Sequence, residues 1–375
     1  MNNYDQIIVG AGVIGCSIAY QLTKRGGYNV LVLEQNKIGC EASSAAAGML
    51  GAQAEFSEDS PLFRFARDSR SLFPGLATEL KDQSDVDIHY MNNGMYKLAF
   101  HEKEWQQLEE IARFQVDAGE EAYILGRDEV VKELKNITSH FLTALYLPND
   151  GQVSAPDLTK AFALAARNNG ATIKEYTAVT KLLIKDGQVQ GVRANQCCYY
   201  ADQIILATGV GGNHLLPFLT DPYIISPVKG ECLSIITEEL KVESTIVTNG
   251  CYLVPKSKQR IIIGATSMPN DWDKEVRVEG IYQLLTRAQK ILPCLKKAKM
   301  EGFWSGLRPQ SADGFPFLGE VPDIAGLYMA NAHFRNGILL SPITGEFMAD
   351  LIEGKEVKAA YKENFSLHRF QKAFT

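Results

Sequence analysis

Ile7-Ile8-Val9-Gly10-Ala11-Gly12-Val13-Ile14-Gly15 opens the stretch that decides the fold, and Tyr28-Asn29-Val30-Leu31-Val32-Leu33-Glu34 closes it. An apolar run enters a glycine turn, an apolar-periodic segment follows, and a second apolar run ends in an acid about 20 residues past the turn. That order predicts strand, turn, helix and parallel strand. Gly10 suits the tight turn, Gly12 lets the backbone approach a pyrophosphate, and Gly15 lets the helix pack closely on the strand. The helix N-terminus offers unpaired N–H groups and a positive dipole end to phosphates. Glu34 is placed to accept hydrogen bonds from the two ribose hydroxyls of an adenosine. An αβ unit with a glycine-rich turn and no ligand is the alternative; the complete context favours a dinucleotide.

The acid at position 34 disfavours NADP, whose 2′-phosphate it would repel, and leaves FAD and NAD open. Position separates these two. Only six residues precede Ile7, and Asp202-Gln203-Ile204-Ile205-Leu206-Ala207-Thr208-Gly209 reads as a later buried strand ending in Ala-Thr-Gly. Many FAD-dependent oxidoreductases return to the cofactor with such a strand, so FAD is the expectation and Gly209 a candidate contact.

The 375 residues suffice for two or three domains' worth of mass, and 46% hydrophobic with 22% charged residues is ordinary for a globular chain. A net charge of −6 supplies no basic field for nucleic acid or anionic lipid. No apolar run approaches the roughly 18 residues that span a bilayer, and the apolar start at Ile7 has no basic leader or cleavage site. Seven cysteines without paired metal spacing suit reduced thiols in a cytoplasmic protein and predict no metal site.

Residues 38–49 are rich in small side chains, as a backbone surface laid against a flat ring would need. A helix is expected near 60–84, a strand at 94–100 and a polar, exposed helix at 102–117. Pro156-Asp157 opens a helix that Gly170 should close. Asp186-Gly187 marks a two-residue hairpin between 178–185 and 188–194. Short strands at 232–237, 251–256 and 261–266 have antiparallel spacing, and Ile281, Leu284, Leu285, Ala288, Ile291 and Leu292 share one helix face. No linker separates these blocks, so two interleaved domains are expected in an α/β fold. A Rossmann-like cofactor domain takes 1–87, 150–221 and 303–375; a domain built on an antiparallel sheet takes 88–149 and 222–302.

Near the C-terminus, Phe303-Trp304-Ser305-Gly306-Leu307-Arg308-Pro309 sets an arginine among aromatic and glycine residues, although a surface arginine is the commoner fate. His333-Phe334-Arg335-Asn336-Gly337-Ile338-Leu339-Leu340-Ser341-Pro342 leads into a helix. Ser341 is expected to cap it, with Pro342 first, Ile343, Phe347 and Leu351 as its buried stripe and Gly354 at its end. Its N-terminus would stabilise negative charge, such as a reduced flavin carries near its pyrimidine edge.

With these segments in view, the chain resembles the flavin-dependent amine oxidases, the group of sarcosine oxidase and D-amino-acid oxidase. Within that group it is most similar to the glycine oxidases of the thiazole branch of bacterial thiamin synthesis. The resemblance covers residues 4–355 and is most specific at 43–52, 93–100, 227–233, 251–255, 264–266, 303–309 and 333–340. It implies oxidation of glycine and other small amines by hydride transfer to FAD, with oxygen reduced to hydrogen peroxide, and a homotetramer. Adenosine and pyrophosphate contacts are implied at Val13, Ile14, Glu34 and Gln35, and an adenine-side backbone contact at Val179. The flavin-side loop falls on Ala42, Ser43, Ala47, Gly48 and Met49, and the pyrimidine edge on His333, Phe334, Arg335, Asn336, Gly337, Ile338 and Leu339. The substrate carboxylate is assigned to Arg308 and Tyr252, with Arg335 lining the site. Gly250 stands where close relatives carry histidine and Ser267 where they carry methionine, which leaves the choice among glycine, sarcosine and small D-amino acids open. Some relatives tether FAD through a cysteine near the C-terminal arginine segment; no cysteine here follows Cys294, so non-covalent FAD is expected.

The chemistry needs no family. Oxidising an α-amino acid requires a fixed carboxylate, a neutral amine and an α C–H aimed at an electron sink. A guanidinium fork matches a carboxylate at any working pH, Tyr252 adds a directional donor, and no catalytic acid or base is called for among six scattered histidines. The remaining readings are a D-amino-acid or sarcosine oxidase, a dehydrogenase of the same fold, an NAD-dependent dehydrogenase, and a nucleotide-binding module without activity.

Overall fold

The computed structural model describes residues 3–219, 221–238 and 242–374; the other positions within the expected domain ranges lie outside the described residues. Gln6–Val9 and Val30–Leu33 pair in parallel, joined by the helix Val13–Arg25. All eight strand residues are buried, because helices cover a parallel sheet and its strands read as unbroken apolar runs. Gln203–Leu206 pairs in parallel on the other side of Gln6–Val9, so the Ala-Thr-Gly turn emerges beside the glycine turn. Leu327–Asn331, Phe317–Glu320 and Thr172–Lys174 complete this six-stranded sheet.

Gly15 has the expected packing role: a Cβ there would lie 2.0 Å from the Gly10 carbonyl oxygen. Helices Pro61–Ser84 and Ala155–Asn168 fall where the pattern places them. The hairpin turns through Asp186 and Gly187, both at positive φ (50° and 74°), which suits Asp-Gly.

A second, nine-stranded sheet is mostly antiparallel. Its spine is the long strand Ser226–Ile236, paired with Arg260–Gly264 on one side and Lys299–Gln310 on the other. Cys251–Lys256 follows beside Arg260–Gly264. Leu284, Ala288 and Ile291 of the helix Val278–Ile291 are buried against this sheet.

Several expectations need correction. The C-terminal helix spans Gly337–Ile352, so Ser341 and Pro342 lie inside it and Asn336 precedes it. Pro342 cannot donate to the Ile338 carbonyl, and the Ser341 hydroxyl bonds that oxygen instead at 2.9 Å. The helix is buried on more than a stripe: Leu339, Leu340, Thr344, Met348 and Ala349 are buried, whereas Ile343 and Leu351 are only partly so. Helix Glu102–Asp117 is exposed on one face only, since Leu108, Ala112 and Gln115 are buried. The spine strand begins at Ser226, before the expected 232. The strand Lys299–Gln310 stays in the antiparallel sheet through position 310, beyond the boundary expected at 303.

Candidate active site

One cavity lies at the carboxyl ends of the parallel strands, where open α/β sheets bind ligands. Val9, Leu33, Ala207 and Asn331, at or just past four strand ends, are part of its wall. The cavity is open to solvent on one side and runs from the glycine turn at Gly10 to Tyr252 and Arg308. Gly10, Gly12, Val13, Ile14, Glu34, Gln35, Val179 and Gly209 line one part. Ala42, Ser43, Ala47, Gly48 and Met49 line another, together with His333, Phe334, Arg335, Gly337 and Ile338. Tyr252 and Arg308 share the same wall. Three expected cofactor residues, Gly15, Asn336 and Leu339, are not in the lining; Gly15 packs helix on strand, and Leu339 accepts a hydrogen bond from Ser69 through its carbonyl (2.6 Å).

The residues fit a flavin dinucleotide. Glu34 is buried, and its carboxylate accepts from the Ala11 N–H (2.8 Å) and the Asn36 N–H (2.9 Å). These two bonds fix the carboxylate, and each oxygen keeps capacity for a ribose hydroxyl. Gly209, at φ +55°, has nothing within 4 Å of an added Cβ, so its backbone borders open space. The N–H of Val13 is held by the Ser43 hydroxyl at 2.9 Å, joining the flavin-side loop to the helix N-terminus. Because the C-terminal helix begins at Gly337, its positive end faces the cavity through Gly337 and Ile338.

The small-residue loop is held by hydrogen bonds from two other segments. Trp304 donates to the Ala45 carbonyl at 3.0 Å, and Val153 N–H donates to the Gly48 carbonyl at 2.8 Å. Near Gly48, the half-buried Lys256 donates through Nζ to Gln152 Oε1 and the Val153 carbonyl, both at 2.8 Å. Burial pulls the Lys256 pKa down to about 7.

Elsewhere in the cavity wall, the Arg308 guanidinium lies over Gly230, where a Cβ would come within 2.3–2.5 Å of it. Among the described residues it makes no ion pair, and its one hydrogen bond is a long contact to the Thr266 carbonyl (3.4 Å). A cation in a cavity wall without a carboxylate partner is a site for an anion. The Tyr252 hydroxyl lies 3.4 Å from Cys232 Sγ. Burial above all, with Cys232 beside it, holds this phenol well above its usual range, so it remains a neutral donor. Arg335, unlike Arg308, is paired, with Glu55 Oε1 at 3.1 Å. Glu55 and Cys232 also line the cavity, and neither has a site role in the sequence reading.

His333 is buried, with Nε2 3.1 Å from the Thr344 hydroxyl, and burial pushes its pKa down to about 3. Its folded-state pKa lies below the unfolded value near 6.5, so the unfolded chain binds more protons between these values. Stability from a neutral His333 is therefore complete above about pH 6.5 and is lost as pH falls toward 3. His333→Gln should show a shallower fall of the thermal midpoint with acidification than the parent; parallel curves would contradict a neutral, buried imidazole.

Comparison with known proteins decides the family. A family model described as FAD dependent oxidoreductase (DAO) matches residues 5–351. The chain belongs to this family. It is 42% identical over 357 residues to a glycine oxidase of Geobacillus kaustophilus (strain HTA426), covering 95% of this chain and 94% of the relative. The crystal structure of glycine oxidase from Geobacillus kaustophilus superposes with a TM-score of 0.93 at 41% identity, covering 98% of this chain and 99% of that one. A bifunctional protein ThiO/ThiG of Trichormus variabilis (strain ATCC 29413 / PCC 7937) is 32% identical over 373 residues, 98% of this chain and 55% of the relative. The protein is thus an FAD-dependent oxidoreductase with the expected α/β fold, which sets aside the NAD-dependent and non-enzymatic readings. Among the described residues no helix is long and apolar enough to cross a membrane.

Proposed function

We propose that this protein is a glycine oxidase that converts glycine and other small amines, including sarcosine and small D-amino acids, to the imine. The observation that carries this reading is the Arg308 guanidinium, without an ion pair among the described residues, lining one cavity with Tyr252 and the dinucleotide turn. FAD held by the cavity residues would supply the electron acceptor, with oxygen as final oxidant and hydrogen peroxide as product. The chain's own groups bind and orient. Arg308 forks onto the substrate carboxylate, Tyr252 donates to it, and the form that is oxidised carries an unprotonated amine. His333 stays neutral beside Thr344. The redox chemistry belongs to the cofactor and the orientation to the protein.

The finer assignments follow the same reading. The cofactor contacts are those expected from sequence that line the cavity, and FAD is held without a covalent bond. The two-domain division follows the two large sheets. The protein works in the cytoplasm as a homo-oligomer, a tetramer by resemblance, without nucleic acid or membrane partners. The imine feeds formation of the thiazole of thiamin; similarity to the glycine oxidases and to one half of a bifunctional ThiO/ThiG chain supports this.

A panel of glycine, sarcosine, D-alanine and D-proline, read by peroxide release, tests the substrate class. Glycine and sarcosine should be turned over; peroxide from D-alanine or D-proline alone would move the protein to a D-amino-acid oxidase. Acid precipitation should leave all yellow colour in the supernatant. A yellow pellet would show a covalent flavin.

A further inference from the structure

Two guanidinium groups line the cavity, and they are not equivalent. Arg308 makes no ion pair among the described residues, whereas Arg335 is held by Glu55 at 3.1 Å. Both members of that pair belong to the cavity wall. The Glu55 side chain is 23% exposed and that of Arg335 50%, which places the guanidinium toward the open side.

The turn that carries Glu55 is fixed in place. Glu55 N–H donates to the Gly51 carbonyl at 3.0 Å. The buried Asp150 carboxylate accepts from the N–H groups of Gln53 (3.0 Å) and Ala54 (2.8 Å), and Arg70 bonds Asp150 in turn at 2.8 Å. Lys97 Nζ donates to the Ala54 carbonyl at 2.8 Å and is absent from the cavity lining. These bonds fix the backbone that carries Glu55, and its carboxylate accepts from Arg335 Nη2 at 3.1 Å. Of the cations near it among the described residues, Arg335 is the one Glu55 pairs with directly and the one in the cavity lining.

We propose that Glu55 is a specificity-determining residue that occupies Arg335 and so denies the cavity a second anion subsite. This inference rests on the proposed oxidation of small amino acids, with Arg308 holding the reacting unit's carboxylate. A substrate with one carboxylate meets one guanidinium that has no ion pair among the described residues. A dicarboxylate would bring its second charge to a guanidinium already neutralised, with the Glu55 carboxylate beside it as a like charge. Selection against such substrates therefore comes from an acidic side chain, without any need for a narrow opening.

Sarcosine and iminodiacetate share the glycyl unit; in iminodiacetate the N-substituent ends in a second carboxylate. The ratio of their kcat/KM values cancels effects on the common step. In Glu55→Gln holoenzyme this ratio, iminodiacetate over sarcosine, should rise about 5-fold, the scale of one partly exposed charge pair. The rise should vanish in Glu55→Gln/Arg335→Gln. Glu55→Ala serves as the second variant, with flavin content as the folding control. A binding readout runs beside turnover: malonate should perturb the visible flavin spectrum at lower concentration in Glu55→Gln than in the parent, and acetate should not. An unchanged ratio in both Glu55 variants, or a rise that persists without Arg335, would overturn the proposal. Failure of every form to oxidise glycine or sarcosine would count against the proposed function, and the malonate titration would still decide the subsite.

Discussion

Arg308→Ala is expected to lower kcat/KM for glycine by roughly 10- to 150-fold. The figure follows from the approximately 1.5–3 kcal/mol contributed by a hydrogen bond to a charged group, at about 1.4 kcal/mol per tenfold. The guanidinium is already in the cavity wall and without an ion pair among the described residues, so no protein carboxylate competes with the substrate for it. Arg308→Lys should recover only part of the loss, because an ammonium is a point charge and cannot fork. Tyr252→Phe should cost less, since one neutral donor is removed and the arginine remains. For amines without a carboxylate the effect should shrink. The flavin spectrum should persist in each variant, which separates a substrate role from a folding role. Parent-like glycine oxidation by Arg308→Ala would make this an ordinary wall residue.

Gly10→Ala should abolish FAD retention through the backbone, without removing any side-chain contact. Gly10 has φ +104°, and a Cβ would lie 2.4 Å from the Ala207 carbonyl oxygen, in the neighbouring strand's turn. Holding a non-glycine residue in such a conformation costs about 1–3 kcal/mol, and an overpacked methyl a further 1–3 kcal/mol or so. Both penalties fall on the two turns that border the cofactor cavity. Gly26→Ala is the control: its φ is +79° but a Cβ there meets nothing within 4 Å, so it carries backbone strain alone. After gel filtration, Gly10→Ala should emerge depleted of flavin with a lowered thermal midpoint, and Gly26→Ala should keep its flavin. Full occupancy in Gly10→Ala would contradict the assigned role of the turn.

What could be read from sequence was what local constraint determines. The strand–turn–helix–strand unit at 7–34, the proline-started helix before Gly170 and the Asp186-Gly187 hairpin all use residues whose conformational preferences act over a few positions. Pairing of Lys299–Gln310 with Ser226–Ile236 was hidden, because nothing in either segment encodes its distant partner. Ser341-Pro342 misled for a physical reason. Ser-Pro suits a helix start, and it also suits a helix interior when the serine hydroxyl serves the carbonyl that proline leaves free. Arg308 and Tyr252 were found through family resemblance; each alone resembles any strand residue. Glu55 was missed because its meaning lies in a contact with Arg335, 280 residues away.

The visible spectrum of the purified protein before and after anaerobic glycine tests the central claim most directly. The account predicts flavin absorption bands that bleach with glycine and return on admitting air, with peroxide released. Flavin bands that persist at saturating glycine would contradict it.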